Sequence, residues 1–536
     1  MAKRRKPIHP DAPLLYPDHA KPVSRRDFIR QGIFTGAGMV MAPTLLGGLL
    51  GGMRDAHALA SDVTAAVTNC GINFSGGNKI PFICFDLAGG ASIAGSNVLV
   101  GQAAGPLDSP LSTAGYSRMG IPGDMLPSMN DPNDTLSYTD TSCGLAFHKD
   151  SGFLRGIQER APGALANTNG ALIAARSDND TGNNPHNPMY GIHKAGAYGE
   201  LLKLIGSRNT DSGGNSLSPA MMINAEARPT KVDRRTDATG LVDTGDLSTM
   251  FPKSADTVNV MESIYRISNA KLGRISTGLN NDTTVKNRVE CEYVKSAALV
   301  ENYADPLALD PEDDVIVAKP GNNDDSGKIF TRAEYDGDRE FQKTAAVMKL
   351  AVNGYAGAGT ITMGGYDYHT GDRAAGELRD LRAGRCIGAC LDYARRIGKP
   401  IMIYVFSDGS VFSNGSVDNS ANGRGKGVWT GDNSGTAGSF FLVYDPRRRP
   451  LLTDASRQQI GYYSAGGSVV TTSSPCANNV NLLVETVVLN YMALHSEQNL
   501  FSTTNYFPNH GLGNSALQDS LTAFQPLYNG TLASGV

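Results

Sequence analysis

Six short runs rich in β-branched and aromatic residues recur along the sequence, and several are apolar at almost every position. They are KIPFICFDL (79–87), GALIAAR (170–176), AMMINA (220–225), GTITMG (359–364), PIMIYVFS (400–407) and GSFFLVYD (438–445). A strand that is apolar on both faces is covered on both faces, which is the condition of a parallel sheet packed between helices. Helical stretches separate the runs: 195–206, 256–273, 287–304, 339–354 and 372–398. In the fourth of these, Phe341, Ala345, Met348 and Val352 recur at helical spacing and predict one apolar face. Strand–helix alternation predicts an α/β fold, a three-layer α/β/α arrangement around a mostly parallel sheet. Glycine is abundant, at 62 of 536 residues, and the loops are polar, with insertions near 101–150 and 208–335. The net charge of −4 argues against a nucleic-acid partner, which calls for a basic surplus.

The N-terminus carries the most specific motif. A basic segment is followed by Ser24, Arg25, Arg26, Asp27, Phe28 and Ile29, then a glycine-rich apolar stretch over 33–53, then the small-residue segment AHALA at 56–60. This resembles a twin-arginine export signal, in which Arg25 and Arg26 are read by the translocase. Small residues at the spacing of a peptidase site predict cleavage after Ala60, with Ala58 as the alternative. Residues 1–60 hold nine Lys/Arg and four Asp/Glu, so their removal takes the net charge to −9. No later run is long and apolar enough to span a bilayer. The expectation is an acidic, exported protein, periplasmic or secreted, with one domain over 61–536 and no transmembrane anchor in its mature form.

Seven cysteines leave at least one thiol free in a monomer. Cys386 and Cys390 lie four apart on a predicted helix, which is half of a metal site without a second pair at zinc-like spacing, so buried thiols are expected. The acidic loop segments PEDD (311–314) and NNDD (322–325), and SDNDTGNN (177–184), allow a calcium reading, but none has the spacing of an EF-hand. DPRRRP (445–450) reads as a solvated loop. No G-x-S-x-G precedes a helix, and no phosphate-binding glycine motif stands at a strand–helix junction.

Four segments carry candidate chemistry. FDLAGGASIAGS (85–96) places Asp86, Ser92 and Ser96 near the end of the first predicted strand, where open α/β sheets bind ligands. In GGYDYHTGD (364–372), Asp367 and His369 stand two apart, so on an extended chain both point the same way and form half of a divalent-metal site. YVFSDGSVFSNG (404–415) delivers Ser407 and Asp408 to a strand tip, and GVWTGDNSGTAGSFFLVYD (427–445) places Asp432 and Asn433 before the last strand. Together these segments resemble the exported family called domain of unknown function 1501, related to sulfatases and to the alkaline-phosphatase superfamily. The resemblance spans roughly residues 79–500, and GGYDYH is its closest motif. It implies an alkaline-phosphatase-like fold and a metal-dependent hydrolase of phosphate or sulfate esters, small or polymeric. It also implies divalent metal (zinc, manganese or calcium) on Asp86, Asp367, His369, Asp408 and Asp432, substrate contacts from Ser407 and Asn433, and catalytic roles for Ser92 and His186. The sequence departs from the family where Ser92 replaces an acidic residue, where Ser407-Asp408-Gly409-Ser410-Val411 lacks a Glu and an Arg, and where Asn433 replaces a His. No clear serine nucleophile remains, Ser177 and Thr181 being the nearest hydroxyls to the histidines at 186 and 193. These departures support the alternative of a non-catalytic descendant that binds a ligand or assembles with other exported proteins.

Overall fold

The apolar run ending at Leu87 forms a central strand of an eight-stranded sheet. The computed structural model describes residues 59–70, 77–103, 105–177, 184–242, 254–302, 306–322 and 324–535. In chain order the principal strands are β1 (Phe82–Leu87), β2 (Thr168–Ile173), β3 (Leu202–Gly206), β4 (Thr230–Lys231), β5 (Ala356–Met363), β6 (Ile401–Ser407), β7 (Val411–Asp418), β8 (Lys426–Asp432), β9 (Ser439–Tyr444) and β10 (Gln459–Ile460). The sheet order is β10-β2-β9-β6-β1-β5-β3-β4, with β7 and β8 paired as a separate hairpin. All neighbours are parallel except β9, which is antiparallel to both β6 and β2. The reason lies in the connection. No helix crosses over between β6 and β9; the chain leaves the carboxyl end of β6, makes the β7–β8 hairpin and re-enters beside β6.

The main helices are α1 (Ser61–Asn69), α2 (Gly152–Arg160), α3 (Met189–Lys194), α4 (Ser254–Leu272), α5 (Asp282–Asn302), α6 (Arg339–Val352), α7 (Arg373–Arg396) and α8 (Val480–Leu494). Helices cover both faces of the sheet. On one face Phe82, Cys84, Met402, Tyr404 and Phe441 pack with side chains of α3 and α8. On the other, Gly359 lies against Val347 of α6, and Phe440 against Phe153 of α2. The strand residues of β1, β6 and β9 are all buried, which is why their sequences are apolar throughout.

Two expectations about elements give way. The stretch 195–206 is not a helix; it closes as β3, paired in parallel with β5. Leu201, Leu204 and Ile205 suit either period, and Gly199 sits so close to Ala356 that a Cβ there would clash at 2.4 Å. The run 220–225 is not a strand. Ala220–Met222 is a short 3-10 turn, and Met221 and Ile223 face solvent.

Where the sequence reading has one domain over 61–536, the contacts make two compact units. The larger is the α/β unit, residues 74–241 and 306–536. The smaller is helical and draws its described residues from both sides of the first segment, 59–70 and 242–302. In it, Val63 of α1 packs with Val258, Met261 and Tyr265 of α4 and with Val294 and Ala297 of α5. A disulfide joins Cys70, just after α1, to Cys291 on α5. Cys84, Cys143, Cys386, Cys390 and Cys476 are buried thiols. No helix among the described residues is long and apolar enough to cross a membrane.

Candidate metal centre at the strand tips

The tips of β1, β5 and β6 stand level, with Leu87 registered against Met363 on one side and Ser407 on the other. The loops that leave these tips therefore share one edge of the sheet. Two glycines make the close approach workable. Gly89 and Gly90 adopt φ values of +128° and +124°, and a Cβ on Gly89 would lie 2.4 Å from the backbone nitrogen of Asp367. The Gly89 N–H donates to Asp408 Oδ1 at 2.8 Å, so one glycine touches both the β5 loop and the β6 loop.

Three predicted ligands converge here. Asp367 and His369 follow β5, and Asp432 ends β8. The β7–β8 hairpin returns Asp432 to its own start, where it pairs with Val411, three residues after Asp408. His369 Nε2 lies 2.9 Å from Asp367 Oδ1 and 3.7 Å from Asp432 Oδ2. One ligand atom from each residue falls within 4.8 Å of the other two. The side chains are open to solvent, at 61% exposure for Asp367, 45% for Asp432 and 30% for His369. Two carboxylate oxygens and one imidazole nitrogen are a donor set that suits zinc or manganese; calcium prefers oxygen alone.

The other two predicted ligands stand on the neighbouring tips of β1 and β6 and meet protein donors. Asp86 and Asp408 are fully buried, and neither belongs to the exposed trio. Asp86 Oδ2 accepts the backbone N–H groups of Asn215 at 2.6 Å and Ser216 at 2.9 Å, while Ser216 Oγ donates to Oδ1 at 3.2 Å. Burial raises the Asp86 carboxyl to about 6, with the Asp408 charge adding to the effect, against the lowering by these hydrogen bonds. Asp408 Oδ2 accepts from Asn215 Nδ2 at 3.1 Å. Protein donors thus meet both carboxylates.

The remaining candidates have hydrogen-bond partners except His186, whose two ring nitrogens are buried without one. Ser407 Oγ accepts from the N–H of Gly90 (3.2 Å) and Ala91 (2.8 Å) and donates to the Leu87 carbonyl at 2.6 Å. Ser92 is buried, and its Oγ pairs with Ser96 at 3.1 Å. Asn433 caps a short 3-10 turn, accepting the Gly435 N–H at 2.6 Å. His186 is buried and stacked on Phe406, with ring centroids 5.9 Å apart. Burial holds its imidazole down at about 3, so the ring is neutral at ordinary pH. Ser92, His186 and Ser407 are not among the three clustered ligands, and Asn433 directly follows one of them, Asp432. Arg25, Arg26 and Thr181 lie outside the described residues, as do Asp178, Asp180 and Asn183 of the calcium reading. In PEDD, Glu312 pairs with Arg332 and Asp313 with Lys349.

Asn215 and Ser216 are the site residues that sequence reasoning missed. Their contribution is largely backbone N–H from a polar loop, which leaves no residue-type signal. A serine–histidine pair lies elsewhere: Ser502 Oγ is 2.8 Å from His510 Nε2, and His510 Nδ1 accepts the Leu512 N–H at 3.1 Å. The sequence matches no family model and no curated protein.

Proposed function

We propose that this is an exported, alkaline-phosphatase-like hydrolase of phosphate or sulfate esters that works with one divalent cation held by Asp367, His369 and Asp432. The observation that carries the reading is the approach of these three ligand atoms to within 4.8 Å at the carboxyl edge of a mostly parallel sheet. Three protein ligands at an exposed position leave coordination sites for water and for an ester oxygen. A cation held there supplies a Lewis acid for the ester and a lowered pKa for bound water. The chain's own part is to fix the donors. Asp367 and His369 are set by the strand tip and Asp432 by the hairpin, and Gly89 leaves room for the close approach of the Asp367 backbone. Ser92 is buried against Ser96, so the proposed attacking group is water rather than a side chain. The Ser-Arg-Arg motif at 24–26 supports export through the twin-arginine translocase, and the Cys70–Cys291 disulfide fits an oxidising compartment.

Metal analysis of the protein purified without chelators tests the reading. The expected result is about one equivalent of zinc or manganese, lost in Asp367→Asn combined with His369→Ala. Added cation at a hundred times its dissociation constant should stabilise the wild type by about 2.7 kcal/mol and leave the double variant unmoved. A folded protein with no bound metal and no thermal response to zinc or manganese overturns it. The buried, hydrogen-bonded state of Asp86 and Asp408 favours a second reading, a binding or structural protein that keeps the cation without the reaction. Cation binding with no turnover across phosphate monoesters, phosphate diesters and sulfate esters selects that reading.

A further inference from the structure

Helix α7 carries Arg379, Arg382 and Arg385 at intervals of three residues, and all three line one open cleft of about 440 Å³. Asp338, the N-cap of α6, and Phe341 of its first turn line the same cleft, and so does Leu378. Residues three apart on a helix are neighbours, so like charges at this spacing repel. The three arginines stand in the middle of α7, away from the carboxyl end that favours cations. Helix stability therefore gives no reason to gather them. Counter-charge is also short. Arg385 is held by Glu159 of α2, with Nε 2.5 Å from Oε2 and Nη2 3.3 Å from Oε1. Arg382 Nη1 reaches Asp338 Oδ2 only at 3.5 Å, and its Nε meets no acceptor. Asp338 is committed to α6, where Oδ1 accepts the Glu340 N–H at 2.8 Å. Glu340, whose charge also acts on Arg382, pairs with Lys343 at 2.8 Å. Arg379 makes no side-chain hydrogen bond or ion pair among the described residues.

The fold nevertheless fixes the place of Arg379. Its carbonyl accepts the Tyr366 hydroxyl at 2.9 Å, and a Cβ on Gly365 would lie 3.1 Å from its Nε. No side chain at 365 stands between this guanidinium and the loop that leaves β5. We propose that the cleft binds the oxyanion head of an organic phosphate or sulfate, with Arg379 as its principal contact. A guanidinium presents paired N–H donors that match two oxygens of such a head, and Arg379 has all of its donors free for one. The bound anion takes the place of the missing carboxylate and offsets the repulsion along α7. Arg382, whose one acid contact in the cleft is long, adds positive charge beside it. Leu378 is 51% exposed and gives the hydrocarbon part of the ligand an apolar surface to cover. This binding needs neither the cation nor its three ligands, so it goes beyond the proposed hydrolase and does not depend on it.

Calorimetric titration of the full chain with phenylphosphonate, which has no ester bond to hydrolyse, tests the assignment. Binding at one site is expected, weakening as salt is raised. Arg379→Gln should weaken it about tenfold, the loss of one charged hydrogen-bonding partner. Arg379→Lys should recover only part, because an ammonium lacks the fork. Benzoate, with the same ring but two acceptor oxygens in place of three, should bind more weakly. The Asp367→Asn and His369→Ala double variant should bind phenylphosphonate as the wild type does. No binding at millimolar ligand, or equal affinity in Arg379→Gln and wild type, overturns the assignment. Binding that disappears in the double variant also overturns it and moves the anion to the candidate metal centre. Benzoate bound as tightly as the phosphonate overturns the ligand class. Arg379→Gln removes no side-chain contact of the fold, so its thermal midpoint should match that of the wild type; a lowered midpoint would make Arg379 a structural residue and overturn its role.

Discussion

Asp86 sits at the end of β1 with no accessible surface, and its oxygens meet donors from Asn215 and Ser216. Burial is the larger effect, and it raises the carboxyl from 3.8 to about 6. The native state therefore holds a proton that the unfolded chain has already released. The relative stability this confers is complete below pH 3.8 and is lost as pH rises through about 6. At 1.36 kcal/mol per unit, the loss amounts to about 3 kcal/mol by pH 7. Asn at this position can keep its oxygen toward the two backbone N–H groups and turn its amide toward the Ser216 hydroxyl. Between pH 4 and pH 7, where the unfolded carboxyl is already partly ionised at the lower end, wild type should then lose about 2 kcal/mol of unfolding free energy relative to Asp86→Asn. Denaturant titrations at one-unit pH intervals measure this, and parallel pH profiles for the two proteins would remove the claim. Asp367 and His369 are the opposite case. Their exposure leaves them open to a cation, and their spacing of two residues after an apolar strand was readable without the structure. The donors to Asp86 were not readable, because the backbone N–H groups of 215 and 216 are set by the path of a polar loop.

The hairpin of β7 and β8 is the element that completes the candidate metal centre, since it carries Asp432 back to the strand tips. A buried ionic network holds it. Lys426 at the start of β8 lies 2.9 Å from Glu377 of α7, which also pairs with Arg373 at 2.5 Å and with Arg155 of α2 at 3.0 Å. Arg373 lies over the ring of Trp429, 4.6 Å from its centroid, in the same hairpin. Burial alone would raise the Glu377 carboxyl, but Lys426 and Arg373 outweigh it and hold it below its usual value. Glu377→Gln would leave buried Arg373 without its carboxylate and Lys426 with only Asp150, at 3.6 Å, and the expected cost is about 3 kcal/mol in a denaturant titration. Cation affinity should fall with it, because Asp432 loses its support; unchanged cation affinity in a folded variant would detach the network from the site. Elements of this sheet were legible where doubly covered strands demand apolar runs, as at 82–87 and 401–407. They were illegible where short apolar spacing suits both periods, as at 201–205, which pairs with β5 rather than coiling. The role of Trp429 as a platform for Arg373 needed the hairpin's path.

At the scale of the whole molecule, the chain makes an α/β unit and a helical unit, and the three candidate ligands all lie in the first. Neither the division nor the Cys70–Cys291 pairing is written in local sequence. The two cysteines stand 221 residues apart, and only the packing of α1 against α5 brings them together. That separation gives the disulfide its leverage. For a fully unfolded chain, closing a loop of this length stabilises the native state by about 5 kcal/mol in the chain-entropy model. The loop includes residues 74–241 of the α/β unit, so while that unit stays folded the effective loop is shorter and the contribution smaller. Reduction should therefore act unequally. With the disulfide reduced, or in Cys70→Ser with Cys291→Ser, the helical unit should unfold at a lower temperature than in the oxidised protein. The α/β unit should keep its own transition, and bound cation should stay, because Asp367, His369 and Asp432 all lie in that unit. Calorimetry with and without reductant, paired with metal analysis of the reduced sample, measures both halves. A single transition that shifts as a whole would mean that the two units unfold together. Metal lost on reduction would mean that the site depends on the helical unit, contrary to the placement of its ligands.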